Sequence, residues 1–514
     1  MRLRSPATLV ALAAVFVGSV LWIPDPKGNA SSLSWRLPDG RVQAPLYDTA
    51  YVGFAASAVA CIAITLVGFY LVAGSVRRDR ERGVGAILAA TPLSNAEYLI
   101  GKFVAHCAYL AVVLGLALLA ALTAWMRFGA GRFSAGDLLA LFLLLSLPAV
   151  AVTASSAIFF DVVPGLSGRG GSVAWFFAFS LLLVAVPMEE SGGGGEGSGL
   201  RRMPVVDPAG AATQAFLARQ TVAGAAGFAT GLEIRDTPFE RVPWRGVAIT
   251  PKLAVARAAN LLVALLPLAP AILLFDRFDP ARRRRRASSG SSRIGRWRGR
   301  ADSDAPEPAA APRHLALEPA AARPSAGRAV LAEARLIWNA SGWLRWPLLA
   351  SAVLAGALPA PAAAIFLLLL VPAVSEAAAR ESVNGTSGLV FSQPGVPASP
   401  VLWKAASVCL FLLVLAAPLV GREFLQSPVR GLAAAAGIGF VALSAVGLGF
   451  LTAGGKLFTG AYLVLWYLAV SNLPQADFAA VLGKAPVPRY AAAYLLIGVF
   501  LLAAAALKER YLPA

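Results

Sequence analysis

Charge is scarce in this chain. Of 514 residues, only 14% are Asp, Glu, Lys or Arg, and 58% are hydrophobic. A soluble domain carries roughly 25% charged residues, so a water-soluble fold of this length is excluded and the chain reads as a polytopic membrane protein. Histidine occurs twice, at His106 and His314, which removes His-based metal sites from consideration. The three cysteines, Cys61, Cys107 and Cys409, lie in hydrophobic runs without a pairing pattern and read as small apolar packing residues. A phosphate-cradling G-x-x-x-x-G-K-[ST] loop is also missing. The nearest imitation, Gly449 to Leu457, lacks the spacing and the hydroxyl residue, so Gly454-Gly455-Lys456 reads as a short turn with a cytoplasmic anchor. No cofactor is expected on this chain.

What charge there is carries one sign. The net charge is +18, concentrated in blocks such as Arg282 to Arg286, with Arg293, Arg296, Arg298 and Arg300 close behind. No nucleic-acid recognition fold accompanies them. Beside membrane spans such blocks mark the cytoplasmic side, and they attract anionic lipid by about 1 kcal/mol per residue near the surface.

Runs of about 20 apolar residues suffice to cross a bilayer, and on that measure the sequence divides into about twelve spans as six plus six. The first six are Ala7–Ile23, Thr49–Ser75, Phe103–Trp125, Leu138–Phe160, Ser172–Val186 and Leu253–Phe275. The first resembles a signal peptide, but an uncleaved span keeps the two halves matched. The second six are Pro347–Leu358, Ala362–Val374, Ala405–Val420, Gly431–Leu451, Phe458–Ser471 and Tyr490–Leu507. Residues 1–276 thus form the first half and 277–324 an Arg/Pro/Ser-rich linker with the composition of a disordered segment. The second half, 325–514, opens with an amphipathic interfacial helix whose apolar face is Val330, Leu331, Ala334, Ile337 and Trp338. Both termini are expected in the cytoplasm. Arg127, Arg132, Arg422, Arg430, Lys484 and Arg489 run against this orientation, since they fall in loops assigned outside. Residues 24–48 and 189–251 read as polar extramembrane stretches, the latter opening with a Gly/Ser tract at 191–199. Of the polar residues in or near spans, His106, Asp161, Glu376 and Asn472 read as interfacial anchors rather than substrate ligands.

The chain is organised around two loops. Arg77 to Lys102 reads RRDRERGVGAILAATPLSNAEYLIGK, and Arg380 to Lys404 reads RESVNGTSGLVFSQPGVPASPVLWK. Adding 302 aligns Arg78 with Arg380, Gly83 with Gly385, Ile87 with Leu389, Pro92 with Pro394 and Lys102 with Lys404, an internal repeat. In the first copy, Arg77 to Ala90 suits a helix ended at Thr91-Pro92. Ser94 with Glu97 then forms a capping box that starts the next helix. Ser399-Pro400 is expected to do the same in the second copy. Each loop is therefore a helix–break–helix elbow.

These residues, with FDRFDP at Phe275 to Pro280, resemble the ABC-2 type permease family, in particular its large two-half bacterial members. The resemblance covers nearly the whole chain apart from the linker and parts of the Gly/Ser loop. It implies an all-α polytopic fold and a bacterial plasma-membrane location. It also implies that each elbow docks on a separate cytoplasmic ATP-hydrolysing subunit, two copies per pseudo-dimeric chain, which uses the ATP. Carried over residue by residue, Arg78, Arg80, Glu81, Gly83 and Pro92, with Arg380, Glu381, Gly385 and Pro394, form or shape the two coupling surfaces. The copies differ: Val383 stands at the position of Glu81 and Asn384 at that of Arg82, so unequal ATPase contacts are expected. The resemblance favours export but does not name the solute. Two other classes compete. A membrane enzyme acting on lipid-linked substrates needs acids or a His/Ser constellation at a membrane edge, and none converges here. A secondary transporter needs buried ion ligands near mid-membrane, and the span interiors hold few charges.

Overall fold

The computed structural model describes residues 6–163 (save 28 and 131), 166, 171, 174–179, 206–278 (save 223, 224, 226, 236 and 245), 325–391 (save 359 and 384), 399–470, 474–482 and 488–511. Helix dominates. In the first half the helices are α1 (Pro6–Trp22), α2 (Thr49–Ile62), α3 (Ser75–Glu81), α4 (Val84–Ala90), α5 (Asn95–Phe128), α6 (Ala135–Val162), α7 (Ala211–Gln220), α8 (Pro251–Ala264) and α9 (Leu268–Leu274). In the second they are α10 (Ala326–Ala340), α11 (Arg345–Ala357), α12 (Ala360–Val374), α13 (Arg380–Val383), α14 (Ser387–Phe391), α15 (Pro400–Gln426), α16 (Pro428–Thr452), α17 (Lys456–Val470) and α18 (Pro488–Tyr511). Among the described residues, seven helices are long and apolar enough to cross a membrane, and 362–374 and 456–470 are shorter apolar helices. A helix lies at every expected span, although of the fifth only residues 174–179 are described, and they are helical.

Local chemistry explains the helix ends. Asp48 caps α2 by accepting from the Tyr51 amide, and Thr250 caps α8 ahead of Pro251. Pro267 interrupts the apolar run between α8 and α9. After α2 the backbone widens into a π-helical segment, Ala63–Gly68, before resuming as helix at Phe69–Val72. There the Thr65 carbonyl accepts from the Trp175 indole N–H at 2.8 Å, a partner that a local bulge makes room for. One apolar core runs through both halves, from Tyr51, Phe69 and Phe142 to Phe366, Leu412 and Phe458. The halves meet where α17 packs on the end of the second span and α1 reaches α16.

The helical expectation has one exception. Residues 30–36 (β1), 42–45 (β2), 227–234 (β3) and 240–242 (β4) form a sheet in the order β3-β1-β2-β4, with β1 antiparallel to both neighbours and β2 parallel to β4. The two polar stretches therefore fold together rather than remaining loops. Their hub is Arg241. Its guanidinium donates to the carbonyls of Pro26, Ala30 and Pro45 and to Ser31 Oγ, and it stacks over the rings of Tyr47 and Phe239. Beneath the sheet, buried Arg257 of α8 donates to the carbonyls of Asp207, Leu144 and Leu145 and to Thr213 Oγ1. Asp207 in turn accepts from the amides of Gly210 and Thr213, so α7 is seated on the bundle by satisfied polar groups. Replacing Arg241 by alanine orphans several carbonyls at once, at about 1–3 kcal/mol for each group left buried. Hydrogen exchange in β1 and β3 is expected to accelerate sharply while the amides of α6 and α16 stay protected.

Candidate coupling elbows

The first elbow begins at a left-handed glycine, Gly74 (φ +77°), which turns the chain out of the second span into α3. Buried Asp161, at the end of α6, receives the start of α3: its carboxylate accepts from the amides of Gly74 (2.5 Å) and Val76 (3.1 Å) and from Ser75 Oγ. Lys456, the first residue of α17, reaches across from the second half and donates to the Ala73 carbonyl. Gly455, which precedes it, fits against the carbonyl of Ser375, where no Cβ has room. Asp161 and Lys456 are thus anchors of the elbow, more specific in role than interfacial residues.

The sequence reads Arg77 to Ala90 as one helix, but the structure breaks it. Gly83 is left-handed (φ +75°), which a continuous helix cannot accommodate, and α4 starts afresh after it. The remaining punctuation is as expected. Thr91 is extended ahead of Pro92, and Ser94 and Glu97 form the full reciprocal capping box of α5. The Ser94 hydroxyl and amide hold the Glu97 carboxyl below its ordinary range, so the box is intact at neutral pH and is lost as acid drives Glu97 to its neutral form. At about 1.5 Å per residue the 34-residue α5 is about 50 Å long. That exceeds the ~30 Å hydrocarbon core and leaves a protruding end for the elbow to lean on.

Lys102 on that end pairs with Asp79 of α3 at 2.7 Å, and the Tyr98 hydroxyl donates to the same carboxylate. A strap from the end of α9 closes the other side. Asp276 accepts from Arg80 at 3.0 Å, Arg277 donates to the Thr91 carbonyl at 2.6 Å, and Phe275 stacks on Tyr98. Phe278 lies so close to Gly85 that a Cβ there would come within 2.6 Å of its ring. Phe275 to Phe278 are the described part of FDRFDP; Asp279 and Pro280 lie outside it.

The second elbow repeats part of this in other surroundings. Gly385 is left-handed (φ +67°) between α13 and α14. Glu381, which stands 302 residues after Asp79, pairs with Lys404, which stands 302 after Lys102, at 2.8 Å. Here the lysine is fully buried, and its three N–H donors meet Glu381, Glu333 and the Ala377 carbonyl. Arg380 also pairs with Glu333 at 3.3 Å. Glu333, expected on the polar face of the interfacial helix α10, instead faces the protein, because that cluster needs a second carboxylate to balance two cations. Ser399-Pro400 starts α15 as expected, with Ser399 at the cap position and Pro400 in the first turn, while the Ser399 hydroxyl donates to Glu509.

Of the residues expected to shape the coupling surfaces, Gly83 and Gly385 are exposed left-handed turns with open space where a Cβ would stand, and Pro92 is exposed. Arg78 is half-buried on α3 and Arg80 is turned to Asp276 and Phe278. Glu81 closes α3, and its side chain lies outside the described set. Arg380 and Glu381 point inward to the Lys404 cluster, and Pro394 lies outside the described residues. What faces outward is aliphatic. Val84 is 40% exposed on α4; Ile87 and its register partner Leu389 are 69% and 70% exposed. Sequence reasoning missed Asp79, Asp276 and Glu333. Asp79 was findable, because it occupies the position of Glu381 in the same register that aligns the lysines; Glu333 left no local signal.

The fold defines a polytopic helical membrane protein, with two short helical elbows between its long helices. Residues 24–192 match the family described as ABC-2 family transporter protein, which supports the resemblance to ABC-2 type permeases. The matched stretch contains Arg77 to Lys102 of the first elbow together with α2, α5 and α6. No curated protein and no solved structure matches the chain.

Removing Lys404 leaves Glu381 buried without its cation and Glu333 with Arg380 alone, a loss of about 3–5 kcal/mol. Removing Lys102 breaks a pair whose side chains are 25% and 21% exposed, which is worth about 1 kcal/mol or less. Lys404→Met is therefore expected to lower the thermal unfolding midpoint in detergent far more than Lys102→Met.

Proposed function

We propose that this chain is the membrane permease of an ABC transporter and moves a solute, outward, with energy from a separate cytoplasmic ATPase. One observation carries the reading. Each elbow presents an exposed aliphatic residue, Ile87 or Leu389, one helical turn after a left-handed glycine, on a short helix that follows one tied to the bundle by an ion pair. Isolated large aliphatics on a charged, braced surface suit insertion into a pocket on a partner. Burying such a side chain is worth about 1.5–3 kcal/mol. ATP binds and is hydrolysed in the partner; this chain supplies the pathway and the docking surfaces.

In this reading the first elbow docks through Val84, Ile87 and the turn at Gly83, and the second through Leu389 and the turn at Gly385. Two ATPase copies serve one chain, whose halves act as a pseudo-dimer in a bacterial plasma membrane, with both termini in the cytoplasm. The arginine blocks beside the spans and the protruding end of α5 support placing the elbows on that side. The inward turn of Arg380 and Glu381 supports a role in shaping the second surface rather than in contact.

Copurification with candidate ABC ATPases tests the proposal. Ile87→Glu and Leu389→Glu are each expected to weaken ATPase capture by about tenfold or more, from the lost burial, without changing the chain's own thermal stability. Gly83→Val and Gly385→Val force a β-branched residue into a left-handed turn and should weaken capture by displacing the same aliphatic residues. Absence of any captured ATPase, or capture indifferent to all four changes, would sink it.

A further inference from the structure

The two elbows use the same acid–lysine pair but immerse it differently. In the first, every group of the outer bracing keeps some access to water: Lys102 is 25% exposed, Asp79 21%, Arg80 29% and Asp276 14%. In the second, Lys404 is 1% exposed, Glu333 3% and Glu381 9%, and only Arg380, at 20%, reaches the surface. A hydrated pair can trade its partner for water at little cost, whereas a buried cluster cannot open without stranding charge.

The first elbow also has a pivot and a strained latch. Its pivot is Gly74, where buried Asp161 grips the start of α3 and Lys456 grips Ala73. Its latch is the strap, in which Arg277 and Phe278 are successive non-glycine residues with left-handed backbone (φ +49° and +63°). Such residues persist only where their surroundings hold them. Here the holding contacts are the Asp276–Arg80 pair, the Arg277–Thr91 bond and the packing of Phe278 against Gly85. Opening the latch would relieve that backbone. Neither Gly385 nor any other described residue of the second elbow carries comparable strain, since glycine adopts its turn freely.

We propose that the elbows are mechanically unequal: the first swings about Gly74 when its Asp79–Lys102 and Arg80–Asp276 pairs open, and the second is a fixed anchor built on Lys404. Lys102 and Lys404 are then positioning residues, acting through the angle at which Ile87 and Leu389 are presented. The consequence for coupling rests on the ABC-permease reading; the mechanical inequality does not. It also gives the thinner charge pattern of the second loop a physical meaning, because a loop that does not move needs no re-formable surface pairs.

The test uses the full chain in lipid nanodiscs. Hydrogen exchange is read at the amides that close each elbow's first turn, Arg82 and Gly83 in one and Gly385 and Thr386 in the other, which bond to Arg78, Arg80, Ser382 and Glu381. The first pair is expected to exchange about five-fold faster or more, as a locally opening unit does. Lys102→Met should accelerate it further without touching the second elbow, and the exchanged pair Asp79→Lys with Lys102→Asp should restore it, which a merely space-filling lysine would not allow. Equal exchange in the two elbows, or indifference to Lys102→Met, overturns the proposal whether or not an ATPase is ever found. Where an ATPase copurifies, Arg80→Cys and Asp276→Cys are joined by a short cleavable bismaleimide, with Cys61, Cys107 and Cys409 replaced by alanine. The bridge should leave ATPase capture intact and cut ATP hydrolysis by the complex at least about ten-fold, reversibly on cleavage. Unchanged hydrolysis with the bridge in place overturns the swinging role, while failure of capture in the unmodified chain counts against the permease reading alone.

Discussion

A carboxylate held by a lysine ties each elbow to the long helix behind it, Asp79 to Lys102 and Glu381 to Lys404. The elbows depend on it. Their helices are four to seven residues long, far below the ~12–15 residues at which an isolated helix becomes even marginal in water. Only tertiary attachment gives them a shape. A charged tether suits this position, because it can be satisfied by protein or by water.

The same pair has different consequences in the two halves because of what surrounds it. Around Lys102 the additional contacts come from aromatic rings and from a strap at the end of α9. Around Lys404 they come from α10, which places Glu333 and Ile337 against the bundle and leaves Leu331 and Leu336 exposed. The segment before residue 279 thus braces the first elbow, and the helix after residue 324 braces the second. Lys456 adds a link in the opposite direction, from the second half to the pivot of the first elbow.

Much of this was legible. Run lengths predicted the long apolar helices, Ser94 and Glu97 announced the start of α5, Thr91-Pro92 its preceding break, and the register of 302 that pairs Gly83 with Gly385 and Ile87 with Leu389 marked where the two elbows lie. The errors have physical causes. Local pattern carries the helix through Gly83, whereas the left-handed conformation of that residue ends it. Glu333 was assigned to the polar face of an amphipathic helix by charge, but a buried ammonium and guanidinium outweighed water as its partner. The sheet escaped notice because β1 pairs with β3 across nearly two hundred residues, and its short strands lie in stretches whose composition resembles loop.

The sequence by itself determined the membrane class, the positions of the long helices and the two elbows between them. Those follow from local quantities: apolar run length, capping residues, glycine and proline. Only the tertiary structure decided which acid meets which base, that one lysine is hydrated and its counterpart buried, and that Phe275 to Phe278 fold back onto the first elbow. Those outcomes depend on the dielectric surroundings and on neighbours remote in the chain, and no local pattern encodes how deeply a charge will be buried.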